Sequence, residues 1–192
     1  TFRGGLGDDI IYGNAELKLS SDSDRDVVDY AGSSTGVKVN LSSTKSDILL
    51  SKETSTTLDL QTSIGEGTDK LYDIQDIIGS VGQDTLIGDD AVNSISGGAD
   101  NDVLIGGGGK DILMGDSGND TILGGLDGDT IYGGTFDGTN HVNIGSDTVD
   151  YSYITTSVAI NADLSRVNGQ EVFQIGTAAN FDHIIDIENI IG

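Results

Sequence analysis

From Gly79 to Tyr132 one pattern of apolar and polar positions recurs every nine residues without a gap: GSVGQDTLI, GDDAVNSIS, GGADNDVLI, GGGGKDILM, GDSGNDTIL and GGLDGDTIY. An earlier copy, GGLGDDIIY, spans Gly4 to Tyr12. The eighth position is always aliphatic (Leu86, Ile95, Leu104, Leu113, Ile122, Ile131), whereas the first half of each copy is glycine-rich and polar. Glycine lets that half turn through positive φ, and the second half alternates as a short strand with the eighth residue inside and its neighbours outside. Each nonapeptide is then a turn plus a strand, and two of them, about 18 residues, close one flattened coil whose strands stack at ~4.8 Å. The pattern predicts an all-β fold, a parallel β-roll (two-sheet β-solenoid) with nonapeptide turns and inserted excursion loops. Residues 1–192 are expected to form a single elongated roll with an uninterrupted nonapeptide core at 79–132.

A longer repeat overlies the short one. GGLGDDIIYG from Gly4 returns as GGLDGDTIYG from Gly124, DVVDY from Asp26 as DTVDY from Asp147, and Val37 to Asn40 as Val158 to Asn161. DIQDIIG ending at Gly79 returns as DIENIIG ending at Gly192. The unit is roughly 120 residues, and the expectation is a slice of a longer tandem array. Segments of unequal length, Ser42 to Ser63 and Ser165 to Asn180, read as excursions, the second with a hairpin turn at Asn168-Gly169. Glu16 to Ser23 and Phe136 to Ile144 read as insertions that split a repeat.

Composition sharpens the picture. The chain has no Pro, Cys or Trp and 29 Gly, which fits a thin core beneath many tight turns. Its net charge of -23 argues against nucleic acid and anionic membrane surfaces as partners and in favour of cations. Of 32 acidic residues all but five are Asp, the short carboxylate suited to turns and metal ligation. No apolar run approaches the ~20 residues of a membrane span, so no membrane insertion is expected. Thr1 to Ile10 lacks the features of a signal peptide, and the absence of cysteine does not decide the compartment.

Asp recurs at the sixth position as Asp84, Asp102, Asp111, Asp120 and Asp129, with Asn93 as the exception. Gly-Gly-x-Gly-x-Asp-x-aliphatic-x resembles the RTX (repeats-in-toxin) calcium-binding repeat. The resemblance implies several Ca²⁺ ions held between turns stacked on one edge, by backbone carbonyls and the sixth-position Asp of both turns, an oxygen set that Ca²⁺ accepts. The ligands it implies are Asp9, Asp26, Asp69, Asp84, Asp102, Asp111, Asp120, Asp129, Asp147 and Asp182. It adds turn residues Gly79, Gly82, Gly97, Asp100, Gly106, Gly107, Gly109, Gly115, Gly118, Gly124, Gly125, Asp127, Gly133 and Gly145. Asp100 and Asp127 depart from the pattern by standing where the fourth-position glycine is usual.

Counting half-coils places Asp26, Asp69, Asp84, Asp102, Asp120, Asp147 and Asp182 on one edge. Asn93, Asp111 and Asp129 fall on the other, with Asp9 far away on that side. The favoured ion-bridging pairs are Asp84/Asp102, Asp102/Asp120 and Asp111/Asp129. Asp also caps turns without any metal, but one carboxylate per coil on one edge repels itself unless counterions intervene.

Other motifs fail in detail. Asp22, Asp24 and Asp26 open like an EF-hand, yet Val27 and Ser33 replace its Gly and Glu. Gly109-Lys110 precedes Asp111 rather than Ser or Thr, which excludes a phosphate loop. His141 and His183 read as surface residues, and no catalytic centre is expected. The ninth-position residues Ile87, Ile105 and Leu123 form an apolar stripe, read either as β-propensity or as a docking surface for neighbouring units. The third positions Val81, Ala99, Ser117 and Thr135 do not make a repeated ice-binding face. The resemblance implies a secreted or cell-surface module of an adhesin, toxin, exoenzyme or surface-layer protein, exported by type I secretion and folded by calcium outside. The alternative is a glycan- or host-surface-binding module acting through the excursion loops.

Overall fold

The computed structural model describes residues 1, 3, 10–12, 25–42, 62–64, 68–72, 74–136, 141–142, 144–153, 166–167, 170–177 and 180–192. The strands are β1 (Ile10–Tyr12), β2 (Val27–Asp29), β3 (Lys38–Asn40), β4 (Thr62–Ile64), β5 (Thr68–Tyr72), β6 (Asp76–Ile78), β7 (Thr85–Ile87), β8 (Ser94–Ala99), β9 (Val103–Gly107) and β10 (Ile112–Ser117). They continue with β11 (Thr121–Gly125), β12 (Thr130–Tyr132), β13 (Thr135–Phe136), β14 (His141–Val142), β15 (Thr148–Asp150), β16 (Arg166–Val167), β17 (Gln170–Thr177), β18 (Asn180–Ile185) and β19 (Asn189–Ile191). No helix forms among the described residues.

Successive repeats alternate between two sheets, as the nine-residue period requires. One sheet stacks β2, β6, β8, β10, β12 and β18 in parallel; the other stacks β3, β7, β9, β11, β15 and β19. The register is a shift of 18 residues within the uninterrupted run, with Leu113 beside Ile95 and Ile131, and Leu104 beside Leu86 and Ile122. All six eighth-position aliphatics are fully buried between the sheets. Val28, Val39, Ile77, Val149 and Ile184 extend the same cluster beyond the run. The core is therefore one side chain deep per strand, which is why each nonapeptide needs a single obligatory apolar residue.

Two expectations change here. The described parts of the excursions do not leave the roll: β4 and β5 pair antiparallel beside β3, and β16 and β17 pair antiparallel beside β18, lengthening each sheet at one end. β16 and β17 pair with Val167 beside Gln170, and the expected Asn168-Gly169 turn itself lies outside the described residues. The ninth-position stripe is not a free docking surface, because Ile87, Ile105 and Leu123 are 5%, 8% and 6% exposed and pack with Val103 and Tyr153. Tyr153 is fixed over them by its hydroxyl, which accepts the Gly125 amide at 2.8 Å. At the insertion Phe136 to Ile144, β13 and β14 pair antiparallel, and residues 137–140 and 143 lie outside the described residues. Residues 13–24, 43–61 and 154–165 lie outside the described residues, and with them the insertion at Glu16 to Ser23, the first excursion apart from Ser42, Thr62 and Ser63, and the repeat at Val158 to Asn161.

Candidate metal centre

The parallel strands β2, β3, β6 to β12, β15 and β19 each follow a sixth-position residue and β18 contains one, so the turns build two columns, one along each edge of the roll. Before the β3 sheet stand Val37, Asp84, Asp102, Asp120, Asp147 and Glu188. Before the β2 sheet stand Asp26, Gln75, Asn93, Asp111, Asp129 and Asp182. One hydrogen bond recurs down both, the amide of one rung donating to a side-chain oxygen of the next; the exception is Gln75, whose amide donates to the Asp26 carbonyl while its own carbonyl accepts from Asn93 Nδ2. The distances are 2.7 Å for Val37 to Asp84, 2.8 Å for Asp84 to Asp102 and for Asp102 to Asp120, and 2.9 Å for Asp120 to Asp147. Opposite, they are 2.8 Å for Asn93 to Asp111 and 2.9 Å for Asp111 to Asp129 and for Asp129 to Asp182. A short carboxylate reaches the neighbouring coil's amide at this spacing without blocking the turn, which gives Asp its place in the pattern.

That bond uses only Oδ1. In Asp102, Asp111, Asp120 and Asp129 the second oxygen, Oδ2, is buried and meets no donor, although each of these residues is only 1% exposed. A buried acceptor without a partner costs about 1–3 kcal/mol, more when charged. The four carboxyls respond as buried acids do. Burial pushes Asp102 up to about 8, with the charges of Asp84, Asp120 and Asp100 adding to the rise and the Asp84 amide opposing it. Burial likewise raises Asp111, Asp120 and Asp129 to about 7, against the lowering hydrogen bond from the preceding rung. At ~5 Å separation two such charges repel by about 3 kcal/mol at an effective dielectric of 20.

The open oxygens face carbonyls. A methyl group built on Gly97 would lie 2.5 Å from Asp102 Oδ2 and 2.7 Å from the carbonyl oxygen of Gly115 in the next coil. The same pair of oxygens, the turn's own Asp Oδ2 and the next coil's first carbonyl, crowds Gly106 (Asp111 and Gly124) and Gly115 (Asp120 and Gly133). At Gly124 the methyl group would lie 2.5 Å from Asp129 Oδ2, with the Ile131 side chain rather than a carbonyl beside it. Only glycine leaves room for this convergence. Among the described residues no group of three or more acidic or imidazole side chains gathers; the cradles at Gly97, Gly106 and Gly115 instead pair one carboxylate oxygen with a backbone carbonyl. That donor set, hard and flexible, fits Ca²⁺ and suits soft or nitrogen-seeking metals poorly.

Other expected site residues are placed as follows. Gly107, Gly109, Gly118 and Gly125 are left-handed, and Asp100 and Asp127 take the left-handed fourth position with φ of 71° and 75°. The two Asp side chains are exposed, so these residues serve the turn's backbone rather than the buried column. Gly82 packs on the backbone of Gly36, Gly145 stacks on the carbonyl of Gly118, and Gly133 lies beside Asp147 Oδ2 and the Asp186 carbonyl. Gly79 lies beside Asp84 Oδ2, but both oxygens of Asp84 already have donors, Ser80 N–H to Oδ2 at 2.5 Å and Ser80 Oγ to Oδ1 at 2.7 Å.

The edge assignment is corrected at three residues. Asp26 and Asp182 belong to the Asp111 column, not the Asp102 column: β2 and β18 lie in the β10 sheet, and Asp129 donates to Asp182. Asp69 lies within β5, which β4 separates from β3, so it has no rung adjacent to Asp84. The physical reason is the antiparallel hairpins, which spend chain within one sheet and complete no half-coil. Asp9 lies outside the described residues; β1, which follows it, joins β5 in the β9 sheet.

The ends of the columns hold residues that the repeat pattern does not mark. Glu188 accepts the Asp147 amide at 2.8 Å, and Gln75 accepts the Asp26 amide at 2.8 Å. The two are equivalent in the longer repeat, DIENIIG against DIQDIIG, which is the signal that locates them. At the foot of the other column the buried Tyr151 hydroxyl donates to Asp182 Oδ2 at 2.7 Å; burial and the neighbouring Asp182 charge hold that phenol far above its usual range. Near the head, Arg25 pairs with both oxygens of Asp76 and donates to the Val92 carbonyl at 2.9 Å.

Fold and columns together define a parallel β-roll with acidic, glycine-cradled turns stacked along both edges. Residues 1–16, 78–113 and 105–139 match the RTX calcium-binding nonapeptide repeat, in four copies. These segments carry the RTX calcium-binding repeat. No curated protein matches the chain. Among the described residues no helix is long and apolar enough to cross a membrane.

Proposed function

We propose that the chain is a non-catalytic structural module of a secreted RTX protein, whose roll closes when Ca²⁺ enters the two columns. The observation that carries this reading is the set of four buried carboxylate oxygens, on Asp102, Asp111, Asp120 and Asp129, that meet no donor, the first three of which converge with a carbonyl of the adjacent coil. Without ions, these charges repel along each column and oppose stacking of the coils. With ions, each cation offsets two carboxylates and ties neighbouring coils together, so binding energy is folding energy. Ca²⁺ supplies the charge; the chain supplies the glycine-lined space, the inward carbonyls and the Oδ1 bonds that aim each Oδ2.

Such coupling suits export in the unfolded state through a type I secretion system into a calcium-rich exterior, as part of an adhesin, toxin, exoenzyme or surface-layer protein. Far-ultraviolet circular dichroism at pH 8 tests the reading. The β signal is expected to appear on calcium addition and vanish with excess EGTA, while magnesium at the same concentration leaves the chain unfolded. A spectrum that EGTA does not change sinks the proposal.

A further inference from the structure

The six turns of the uninterrupted run adopt two backbone states, and the state decides what the sixth-position side chain meets. In the turns that begin at Gly97, Gly106, Gly115 and Gly124, the second residue is left-handed: φ is 107° at Gly98, 109° at Gly107, 70° at Asp116 and 116° at Gly125. These are the four turns whose aspartate keeps an open, buried Oδ2. In the turns that begin at Gly79 and Gly88, the second residues Ser80 and Asp89 are not left-handed. Their own amides donate inward instead, Ser80 to Asp84 Oδ2 at 2.5 Å and Asp89 to Asn93 Oδ1 at 2.9 Å.

The rest of the cradle is the same in both states. A methyl group built on Gly79 would meet the Gly97 carbonyl and Asp84 Oδ2, and one built on Gly88 would meet the Gly106 carbonyl and Asn93 Oδ1, as in the open turns at Gly97, Gly106 and Gly115. The difference is one N–H. Pointed into the cradle, it occupies the lone pair a cation needs and places its positive end there; where the second residue is left-handed, no N–H reaches the oxygen.

We propose that the backbone state of the second residue selects which turns hold calcium, so that the turns at Gly79 and Gly88 are closed by their own amides and remain free of ions. This rests on the calcium reading of the columns. Their surroundings agree with it. The rungs that precede Asp84 and Asn93 are the uncharged Val37 and Gln75, and Arg25 beside Asp76 and Val92 provides a fixed cation at that end. A glycine at either second position releases the left-handed conformation at little cost and is expected to open the turn.

Native mass spectrometry of the whole chain, titrated with calcium, counts the ions directly. Ser80→Gly is expected to bind one calcium more than wild type. Asn93→Asp is expected to gain an ion only in combination with Asp89→Gly, because the carboxylate alone still receives the Asp89 amide. An unchanged count in both Ser80→Gly and the double variant, or a gain from Asn93→Asp by itself, overturns the proposal while leaving the calcium reading intact. A wild-type chain that takes up no calcium overturns both.

Discussion

The amide of Asp102 donates to Oδ1 of Asp120 at 2.8 Å, while Oδ2 of the same Asp120 carboxylate is buried and meets no donor. One oxygen therefore fixes the register between coils and the other is kept for a cation. Asp120→Asn retains an Oδ1 acceptor and removes the charge. Its effect is expected to change sign with calcium: the variant binds calcium at least tenfold more weakly, a loss of about 1.4 kcal/mol or more, yet is more stable than wild type when both are stripped of metal at pH 7. Calorimetric titration and thermal melts with and without calcium check the two halves. A variant destabilised equally in both conditions contradicts the assignment.

Protons and calcium compete for the same carboxylates, and the sign of the pH dependence follows. Asp102 in the folded chain lies at about 8 and Asp111, Asp120 and Asp129 at about 7, against 3.8 as the unperturbed value. The metal-free roll thus holds protons that the unfolded chain releases. Its stability is fully present below about pH 4 and is lost as pH rises through 7 to 8. In metal-stripped buffer the β signal is expected at pH 5 and absent at pH 8.5. Greater metal-free stability at the higher pH would refute the linkage.

Leu113 is fully buried between Ile95 and Ile131 on adjacent strands. Leu113→Ala in the calcium-loaded roll is expected to cost about 3 kcal/mol through lost burial and the cavity left behind. Denaturant unfolding measures it, and a cost below 1 kcal/mol would mean that the one-residue-deep core is not what holds the sheets together.

At the end of the Asp111 column the Tyr151 hydroxyl supplies the donor to Asp182 Oδ2. Tyr151→Phe removes that donor and is expected to cost about 1–3 kcal/mol at pH 7. The cost shrinks once Asp182, whose titration burial also raises, is protonated. Melts at pH 7 and pH 4 in calcium-free buffer compare the two, and an equal loss at both contradicts a role through the carboxylate.

Much of this architecture was legible because a nine-residue period leaves few choices. The eighth-position aliphatics and sixth-position aspartates from Asp84 to Asp129 land where the pattern puts them, in two sheets and two columns. Legibility stops where the chain leaves the period. Antiparallel strands such as β4 and β17 add to a sheet without completing a coil, and this shifted Asp26 and Asp182 to the opposite edge. Hydrogen-bond state is equally invisible in a consensus: Asp84 fits the pattern as well as Asp102, but Ser80 has already satisfied it. Tyr151 and Glu188 act through contacts about 30 and 40 residues away along the chain, which no local motif records.

The central claim is that calcium sits between the open carboxylate oxygens and the carbonyls of the neighbouring coil. Crystals grown in calcium and measured at long X-ray wavelength test it directly, because calcium then scatters anomalously. The account predicts peaks beside Gly97, Gly106, Gly115 and Gly124, each within coordination distance of Oδ2 of Asp102, Asp111, Asp120 and Asp129 respectively. Well-ordered columns with no anomalous signal at those four glycines would contradict it.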